Sequence, residues 1–230
     1  MDVIMPAYIL DPETMAVTES AVKSLRENDI KLIIIDNGSV MGHGQLREWA
    51  DLLIYDKVNI GYARAVNQGL KLAGKIVAVA NNDIRVPPQW LPIAEDVLED
   101  PKIGSLHYRM IPYDQPFNPS NETWPSGKER WCTSSFFVVR NVQLYDENFR
   151  NSYDDWDFWS RMREKGYTTA YTNKAEYQHL DSFTVRRDPQ HEAINEANKK
   201  YYIIKHGMTA EEEFENLFPG ELAKPWKPFP

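Results

Sequence analysis

The sequence is poor in cysteine and in long apolar runs. It has one cysteine among 230 residues, Cys132, so no intrachain disulfide can form and nothing points to an oxidising compartment. No apolar stretch approaches the ~20 residues that a helix needs to cross a bilayer. The N-terminal residues also lack the basic and apolar regions of a signal peptide. We therefore expect no transmembrane segment and a cytoplasmic protein.

Positive charge is scarce as well. The sequence has 26 Lys and Arg against 34 Asp and Glu, which gives a formal net charge of -8. A protein that coats nucleic acid needs clustered Lys and Arg to neutralise phosphates, so we expect no nucleic-acid partner. The hydrophobic fraction of 42% is ordinary for a soluble globular protein, and the length suits one domain.

Short apolar runs alternate with patterns of helical period along the first two thirds of the chain, which predicts an α/β sheet flanked by helices. The predicted strands are residues 3–8, 32–35, 52–55, 76–80, 134–139 and 168–171, and the predicted helices are residues 13–28, 45–50, 63–73, 87–98, 154–165 and 189–206. Residues 111–130 are rich in Pro, Asn, Ser and Gly and are typical of a long functional loop. Thr209 and Glu212 have the spacing of a capping box for a final acidic helix.

Three predicted strands end in residues that can form a binding site. Ligands of open α/β sheets bind in the crevice outside the carboxyl ends of the strands, so we expect Pro6, Asp36 and Asp83 to converge there. The sequence Asn81-Asn82-Asp83 offers one carboxylate to Mg²⁺ or Mn²⁺, with water and phosphate oxygens completing the shell. The alternative interpretation is an Asx turn before a proline-led helix.

Two further segments can contact a nucleotide. Asp36 can accept the imide N–H of a pyrimidine base, although a plain turn explains this residue equally well. Gly61 precedes a predicted helix whose first N–H groups favour anions. Arg64 lies in the first turn of that helix and adds a cationic partner for a diphosphate.

Three acids, Asp154, Asp155 and Asp157, crowd the start of another predicted helix. The helix dipole and an N-cap role favour acids there, but like charges so close repel one another and raise the pKa of a carboxyl group. We take Asp155 as the candidate general base and Asp154 as its neighbour, with Asp157 as an orienting or capping residue. His179 is either structural or a ligand of the metal or the diphosphate.

In order and spacing, these segments resemble the family 2 glycosyltransferases, in particular the rhamnosyltransferase-like branch. The matching segments are VIMPAY at residues 3–8, IIDNGS at 34–39, the N-x-G-[FY] helix from Asn59 with Asn67 and Gly69, and NND at 81–83, in the place of a DxD-like metal motif. Downstream they are YDENF at 145–149, DDWD at 154–157 with Arg161, Gly166-Tyr167, His179 with Ser182, and Asn198 to Gly207. The resemblance runs from about residue 3 to residue 207.

The resemblance implies a GT-A-type fold for nucleotide-diphospho-sugar transfer, with a mostly parallel central sheet. It implies one catalytic domain over residues 1–207, with a nucleotide-binding part at about 1–100, an acceptor-binding part at about 101–207, and an acidic helix and Pro-rich tail at 208–230. Residues 111–130 would cover the donor or an acceptor sugar.

The implied sites are assigned residue by residue. The nucleotide-sugar site comprises Pro6, Ala7, Tyr8, Asp36, Asn59, Gly61, Arg64, Asn67, Asn81, Asn82 and Asp83. The acceptor site comprises Trp131, Trp156 and Asp157, the metal ligands are Asp83 and His179, and the catalytic residues are Asp155 and Asp154.

The implied reaction is an inverting transfer of a sugar from a UDP-, TDP- or GDP-linked donor to the hydroxyl of a glycan, protein or small molecule, with Mn²⁺ or Mg²⁺ as cofactor. The oligomeric state is open and includes a homodimer. The sequence departs from the family pattern in three places: Asn81 replaces Asp, Asp154 replaces Glu, and Thr133-Ser134-Ser135 lies where a Gly-Ala pair is usual.

Two alternatives stay open at this point. A nucleotidyltransferase shares the α/β layout and the metal, but its first loop is usually basic and rich in Gly, unlike Ala7 to Asp11 here. A catalytically silent binder of glycans or nucleotides would keep the fold and dispense with Asp155 and Asp83.

Overall fold

The computed structural model describes residues 1–119, 123–124, 135–180 and 191–219. The strands are β1 (Asp2–Ala7), β2 (Lys31–Asn37), β3 (Leu52–Asp56), β4 (Ile76–Ala80), β5 (Ile84–Arg85), β6 (Ile103–Pro112), β7 (Thr123–Trp124), β8 (Phe136–Arg140) and β9 (Thr168–His179). The helices are α1 (Pro12–Leu25), α2 (His43–Trp49), α3 (Tyr62–Leu70), α4 (Trp90–Val97), α5 (Asp154–Glu164), α6 (His191–His206) and α7 (Ala210–Leu217).

All the described strands join one sheet in the order β3-β2-β1-β4-β8-β6-β9-β5, and β7 pairs with β9. The strands β3, β2, β1 and β4 run parallel, as do β6 and β9, whereas β8 is antiparallel to both of its neighbours. The parallel arrangement sends the ends of β1, β2 and β4 to one edge of the sheet, where ligands of α/β proteins bind. The predicted α/β class with a mostly parallel sheet and flanking helices is confirmed.

The sheet buries both faces because its strands are apolar at successive positions. Val3 and Met5 of β1 pack with α1, α2 and α4 on one face, and Ile4 between them packs with α3 and α5 on the other. Helix α3 lies so close to the sheet that a Cβ at Gly69 would stand 2.6 Å from Cγ2 of Ile4. A side chain at Gly69 would displace Ile4, so glycine lets the last turn of α3 lie close against β1.

Strand β6 was not predicted, and β9 extends well past the predicted residues 168–171. Polar residues such as His107 and Arg109 interrupt the apolar run of β6, which obscures the alternation of Leu106 and Tyr108. The register between β6 and β9 also shifts after Tyr108, so β9 continues to His179 beyond an irregularity that no periodic pattern predicts. This extension carries His179 to the edge of the sheet.

The predicted capping box of the final helix is confirmed. The Thr209 side chain accepts a hydrogen bond from the Glu212 N–H at 3.0 Å, and Glu212 accepts one from the Thr209 N–H at 2.8 Å. Gly207 has a φ of 75° just after α6. The Pro-rich tail lies outside the described residues. In the part of the chain that the structure describes, we find no helix with the length and hydropathy of a membrane-spanning segment.

Candidate active site

The turn after β2 is fixed by backbone contacts. A Cβ at Gly38, whose φ is 79°, would lie 2.4 Å from the backbone N of Asn59, so this turn approaches its neighbour too closely for any other residue. Asn37 accepts a hydrogen bond from the Ile60 N–H at 2.8 Å. Asn59 accepts one from the Gly61 N–H at 2.9 Å. The predicted nucleotide turn and the predicted start of α3 are therefore brought together.

Asp36 is fully buried in this turn. Its Oδ1 accepts a hydrogen bond from the Ser39 N–H at 2.9 Å, and its Oδ2 lies 2.6 Å from Nδ1 of His43. Both carboxylate oxygens thus have partners within the protein. A direct contact between Asp36 and a nucleobase would require His43 to move.

Asp83 and His179 meet at the same edge of the sheet, as the resemblance predicted. Their closest atoms, Oδ1 of Asp83 and Nε2 of His179, lie 3.3 Å apart, and both side chains are buried. Pairing of Ile84 with His179, together with the Leu180 N–H donating to the Asp83 carbonyl at 3.1 Å, fixes this arrangement. Nδ1 of His179 lies 3.4 Å from the Ser135 hydroxyl, which orients the ring.

These residues fit a divalent cation. Oδ1 of Asp83 and Oδ1 of Asn81 are buried and accept no hydrogen bond from the described residues. Carboxylate and amide oxygens with an imidazole nitrogen suit Mn²⁺ or Mg²⁺, which usually keep waters and phosphate oxygens as further ligands. Within the described ranges, no group of three or more His, Cys, Asp or Glu side chains is placed to hold an ion, so a bound ligand would complete the shell.

The N-terminus of α5 contrasts with these paired sites. Asp154 is buried, and its Oδ2 accepts no hydrogen bond from the described residues. Burial and then the negative charge of Asp155 raise the pKa of the Asp154 carboxyl to about 8. Asp155 is half-buried, and its Oδ1 accepts a hydrogen bond from the Trp156 N–H at 2.9 Å. A buried carboxyl that favours its protonated form thus lies next to a more accessible one.

Tyr62 connects the two groups of acids. Burial, then the negative charges of Asp154 and Asp155, and further that of Asp83, raise the pKa of its phenol well above the usual range. Its phenol is therefore within electrostatic range of carboxylates from both places. Its backbone N–H also donates to the Asn151 side chain at 2.9 Å, which joins the start of α3 to the segment before α5.

Comparison with known families agrees with this arrangement. A model of the family described as Glycosyl transferase family 2 matches residues 2–188. The chain belongs to this family. Two curated proteins similar to it are the N-acetylglucosaminyl-diphospho-decaprenol L-rhamnosyltransferases of Mycobacterium tuberculosis strains CDC 1551 / Oshkosh and ATCC 25618 / H37Rv. Each is 24% identical to this chain, and the match covers 71% of this chain and 70% of the relative. The resemblance to the rhamnosyltransferase-like branch is confirmed.

Solved structures agree with the GT-A fold of this family 2 chain. Staphylococcus aureus TarS 1-349 in complex with UDP-GlcNAc has a TM-score of 0.64 and 14% identity, and the match covers 94% of this chain and 70% of that one. GalNAc-T7 with UDP, GalNAc and Mn²⁺ has a TM-score of 0.66 and 12% identity, with 98% and 52% covered. The chain spans 58% of one TarS 1-349 chain and 42% of a longer TarS chain.

Several residues predicted to bind ligands in this family 2 chain have internal roles. Asn67 is buried and exchanges two hydrogen bonds with the backbone of Tyr145, at 2.8 and 3.0 Å. Asn82 donates to Thr18 at 2.9 Å. These contacts hold α3 and the metal motif in place. Ligand binding by Asn67 and Asn82 stays a prediction, and the observed contacts explain both residues without it.

Asp157 is fully buried and lies 3.0 Å from Nε2 of His206 and 2.8 Å from Nε of Arg161, with Lys205 also in contact. The structure therefore favours the orienting role considered for Asp157, which ties α5 to α6, and gives no surface through which it could meet an acceptor. Trp156 is half-buried and packs edge-on against Phe214, with ring centroids 6.1 Å apart. Acceptor contacts at both residues stay predictions.

The other residues predicted to bind ligands differ in how far they are exposed to solvent. Pro6 and Ala7 are buried at the end of β1, and Tyr8 is half-buried. Arg64 is exposed, with Nε 3.9 Å from Oε2 of Glu147. Trp131 lies outside the described residues.

Sequence reasoning missed His43 and Asn151. His43 follows Asp36 by seven residues in a polar stretch, and its contact depends on the positive φ of Gly42, 85°. Asn151 has a φ of 59°, a conformation in which Asn is enriched, but nothing in the sequence links it to Tyr62. The sequence does signal a turn at Asn151-Ser152, but not what that turn holds.

Proposed function

We propose that this protein is an inverting glycosyltransferase that moves a sugar from a nucleotide-diphosphate donor to an acceptor hydroxyl. Family membership supports glycosyl transfer, and the UDP and UDP-GlcNAc complexes of TarS support a nucleotide-sugar donor. The observation that carries the proposal is the contact of Asp83 with His179, 3.3 Å apart at the edge of the sheet where the parallel strands end and where ligands of α/β proteins bind.

Asp155 is the proposed base. It takes the proton of the acceptor hydroxyl while that oxygen forms a bond to the anomeric carbon and the bond from this carbon to the diphosphate oxygen breaks. The diphosphate leaves with the bonding electron pair. Burial raises the pKa of the Asp154 carboxyl to about 8, so this carboxyl is protonated at neutral pH and places no negative charge beside the proposed base.

Asp83, with His179 and Asn81, is the proposed holder of a divalent cation. When bound, such a cation neutralises negative charge on a leaving diphosphate. The buried oxygens of Asp83 and Asn81 that accept no hydrogen bond from the described residues support this role, as does the Mn²⁺ in the GalNAc-T7 complex. The first N–H groups of α3 and the exposed Arg64 would contact the diphosphate. The acceptor would be a glycan, a protein or a small molecule.

A binding assay tests the donor site of the proposal. Binding of UDP-, TDP- and GDP-sugars is measured by calorimetry with Mn²⁺, with Mg²⁺ and with EDTA, for the wild type, Asp83→Ala and the surface control Glu95→Gln. We expect metal-dependent binding of one nucleotide class, at least about tenfold weaker in Asp83→Ala and unchanged in Glu95→Gln. Absence of binding in the wild type under every condition would overturn the proposal.

A catalytically silent binder predicts a different pattern. It would bind a nucleotide sugar, and Asp155→Asn would leave its biological activity intact. Loss of transfer in Asp155→Asn with donor binding retained supports the enzyme instead.

A further inference from the structure

The carboxylate predicted to contact the base is closed to solvent. The side chain of Asp36 has 0% of its surface exposed, whereas that of His43, which covers it, is 46% exposed. Ser39 and His43 take both oxygens of Asp36. Any group that enters this end of the crevice therefore meets His43 before it meets Asp36.

The contact with Asp36 fixes the chemistry of the His43 ring. A carboxylate oxygen is a hydrogen-bond acceptor, so the 2.6 Å contact places a proton on Nδ1 of His43. In the neutral ring, Nε2 is then an acceptor without a proton. Nε2 has no hydrogen bond within the part of the chain that the structure describes. The ring also meets Tyr55 edge-on, with centroids 5.3 Å apart, and Tyr55 is exposed.

We propose that His43 reads the nucleobase of the donor, with Nε2 accepting the imide N–H of uracil or thymine while Asp36 holds the ring in the required tautomer. The proposal rests on the proposed function, which places a nucleotide in this crevice. Asp36 is then a positioning residue that acts through His43. Cytosine has the same size as uracil, but its N3 is an acceptor, so it would leave Nε2 facing another acceptor.

The discriminating measurement compares UDP with CDP. Calorimetry on the wild type with Mn²⁺ should give UDP and TDP an affinity at least about tenfold above that of CDP, because one hydrogen bond is lost and one acceptor is left unpaired. His43→Phe keeps an aromatic ring beside Tyr55 but has no ring nitrogen. We expect it to bind UDP about tenfold more weakly and CDP unchanged, so that the preference for UDP disappears.

His43→Gln is the matched variant, because its amide can donate to Asp36 and present an oxygen acceptor outward. It should retain most of the preference for UDP. Thermal unfolding shows whether each variant is folded. We expect all of them to fold, because the His43 side chain is 46% exposed.

Three outcomes would overturn the inference. An unchanged ratio of UDP to CDP affinity in His43→Phe would remove His43 from base recognition while leaving the proposed function intact. Equal or tighter UDP binding in His43→Ala, lost in Asp36→Asn, would mean that the base displaces His43 and contacts Asp36 directly. Failure of the wild type to bind any nucleotide would overturn the proposed function and the inference together.

Discussion

Two groups of buried carboxylates among the described residues differ in their partners. In the crevice at the strand ends, Asp36 lies 2.6 Å from His43 and Asp83 lies 3.3 Å from His179. At the start of α5, Asp154 has an oxygen without a hydrogen bond from the described residues and has acids as neighbours. Burial alone therefore does not set the role of an acid. A buried acid with an acidic neighbour, as Asp154 has, is suited to holding a proton.

The largest expected effect comes from Asp155→Asn. Removing a general base should lower the transfer rate by about 100-fold to 10,000-fold. Donor binding and thermal stability should change little, because Asp155 is half-buried. Steady-state kinetics and calorimetry measure the two quantities, with Glu164→Gln on the exposed end of α5 as the control. If Asp155→Asn had the kinetics of the wild type, Asp155 would not be the base, and the acids at the start of α5 would have no catalytic role to set against the binding role of the acids in the crevice.

Asp157→Ala tests an acid of α5 that has basic partners. The substitution leaves Lys205 and His206 without a buried carboxylate, so we expect the free energy of unfolding to fall by about 3 kcal/mol. Asp146→Ala also removes a partner of Lys205, but at a more exposed position, and should cost about 1 kcal/mol. Urea denaturation compares them. If both variants lost the same free energy of unfolding, the greater burial of Asp157 would make no extra contribution to stability.

The pH dependence of stability tests Asp154. Its pKa is raised from 3.8 to about 8 in the folded protein, so the folded state binds a proton that the unfolded state has lost. The stability from this proton is complete below pH 3.8 and disappears as the pH rises through about 8. Asp154→Asn should remove this decline and be more stable than the wild type above pH 8.

Asp146 provides the internal control for that titration. Partial burial acts to raise the pKa of Asp146, but hydrogen bonds from Lys205 and Asn148 outweigh it and lower this pKa to about 2. Its contribution to stability is therefore lost only as the pH falls below 3.8. The pH range in which Asp146 changes the stability therefore does not overlap the range in which Asp154 does. Parallel curves for the wild type and Asp154→Asn between pH 4 and pH 8 would contradict the assignment of a proton to Asp154.

The smallest effect is expected from Arg64→Gln in the crevice. Arg64 is exposed and lies 3.9 Å from Glu147, so the free energy of unfolding should change by less than about 0.5 kcal/mol. Donor affinity should fall by about threefold to tenfold if the side chain contacts the diphosphate. The exposed Arg47→Gln is the control. Equal donor affinity in both variants would show that the Arg64 side chain does not contact the diphosphate, so that only the backbone N–H groups of α3 would bind it.

The sequence predicted what depends on periodicity and strand ends. Strand β4 has the predicted bounds, and Asp83 lies at the sheet edge because ligand sites follow the ends of parallel strands. From its own residue type His179 was either structural or a ligand, and the resemblance put it with Asp83. Their contact depends on a register shift between β6 and β9. No local pattern shows where such a shift occurs.

The contacts of the buried acids with other side chains of the protein were not predicted, for a related reason. The residues that surround Asp157 come partly from α6, and a helical pattern does not show which helix will pack against it. His43 reaches Asp36 because Gly42 adopts a left-handed conformation, which the sequence permits without requiring. Spacing therefore predicts which acids reach the site, while their partners depend on tertiary contacts.

The pairing of β5 with β9 has a consequence for the order in which the protein is made. A ribosome completes β1 to β4, and Asp83 with them, long before it adds His179. A nascent chain can assemble that half of the sheet early, but its proposed cation site stays incomplete until β9 has been synthesised and has paired with β5. Under the proposed function, metal-dependent capture of a donor would therefore begin only after His179 has been synthesised and β9 has paired with β5.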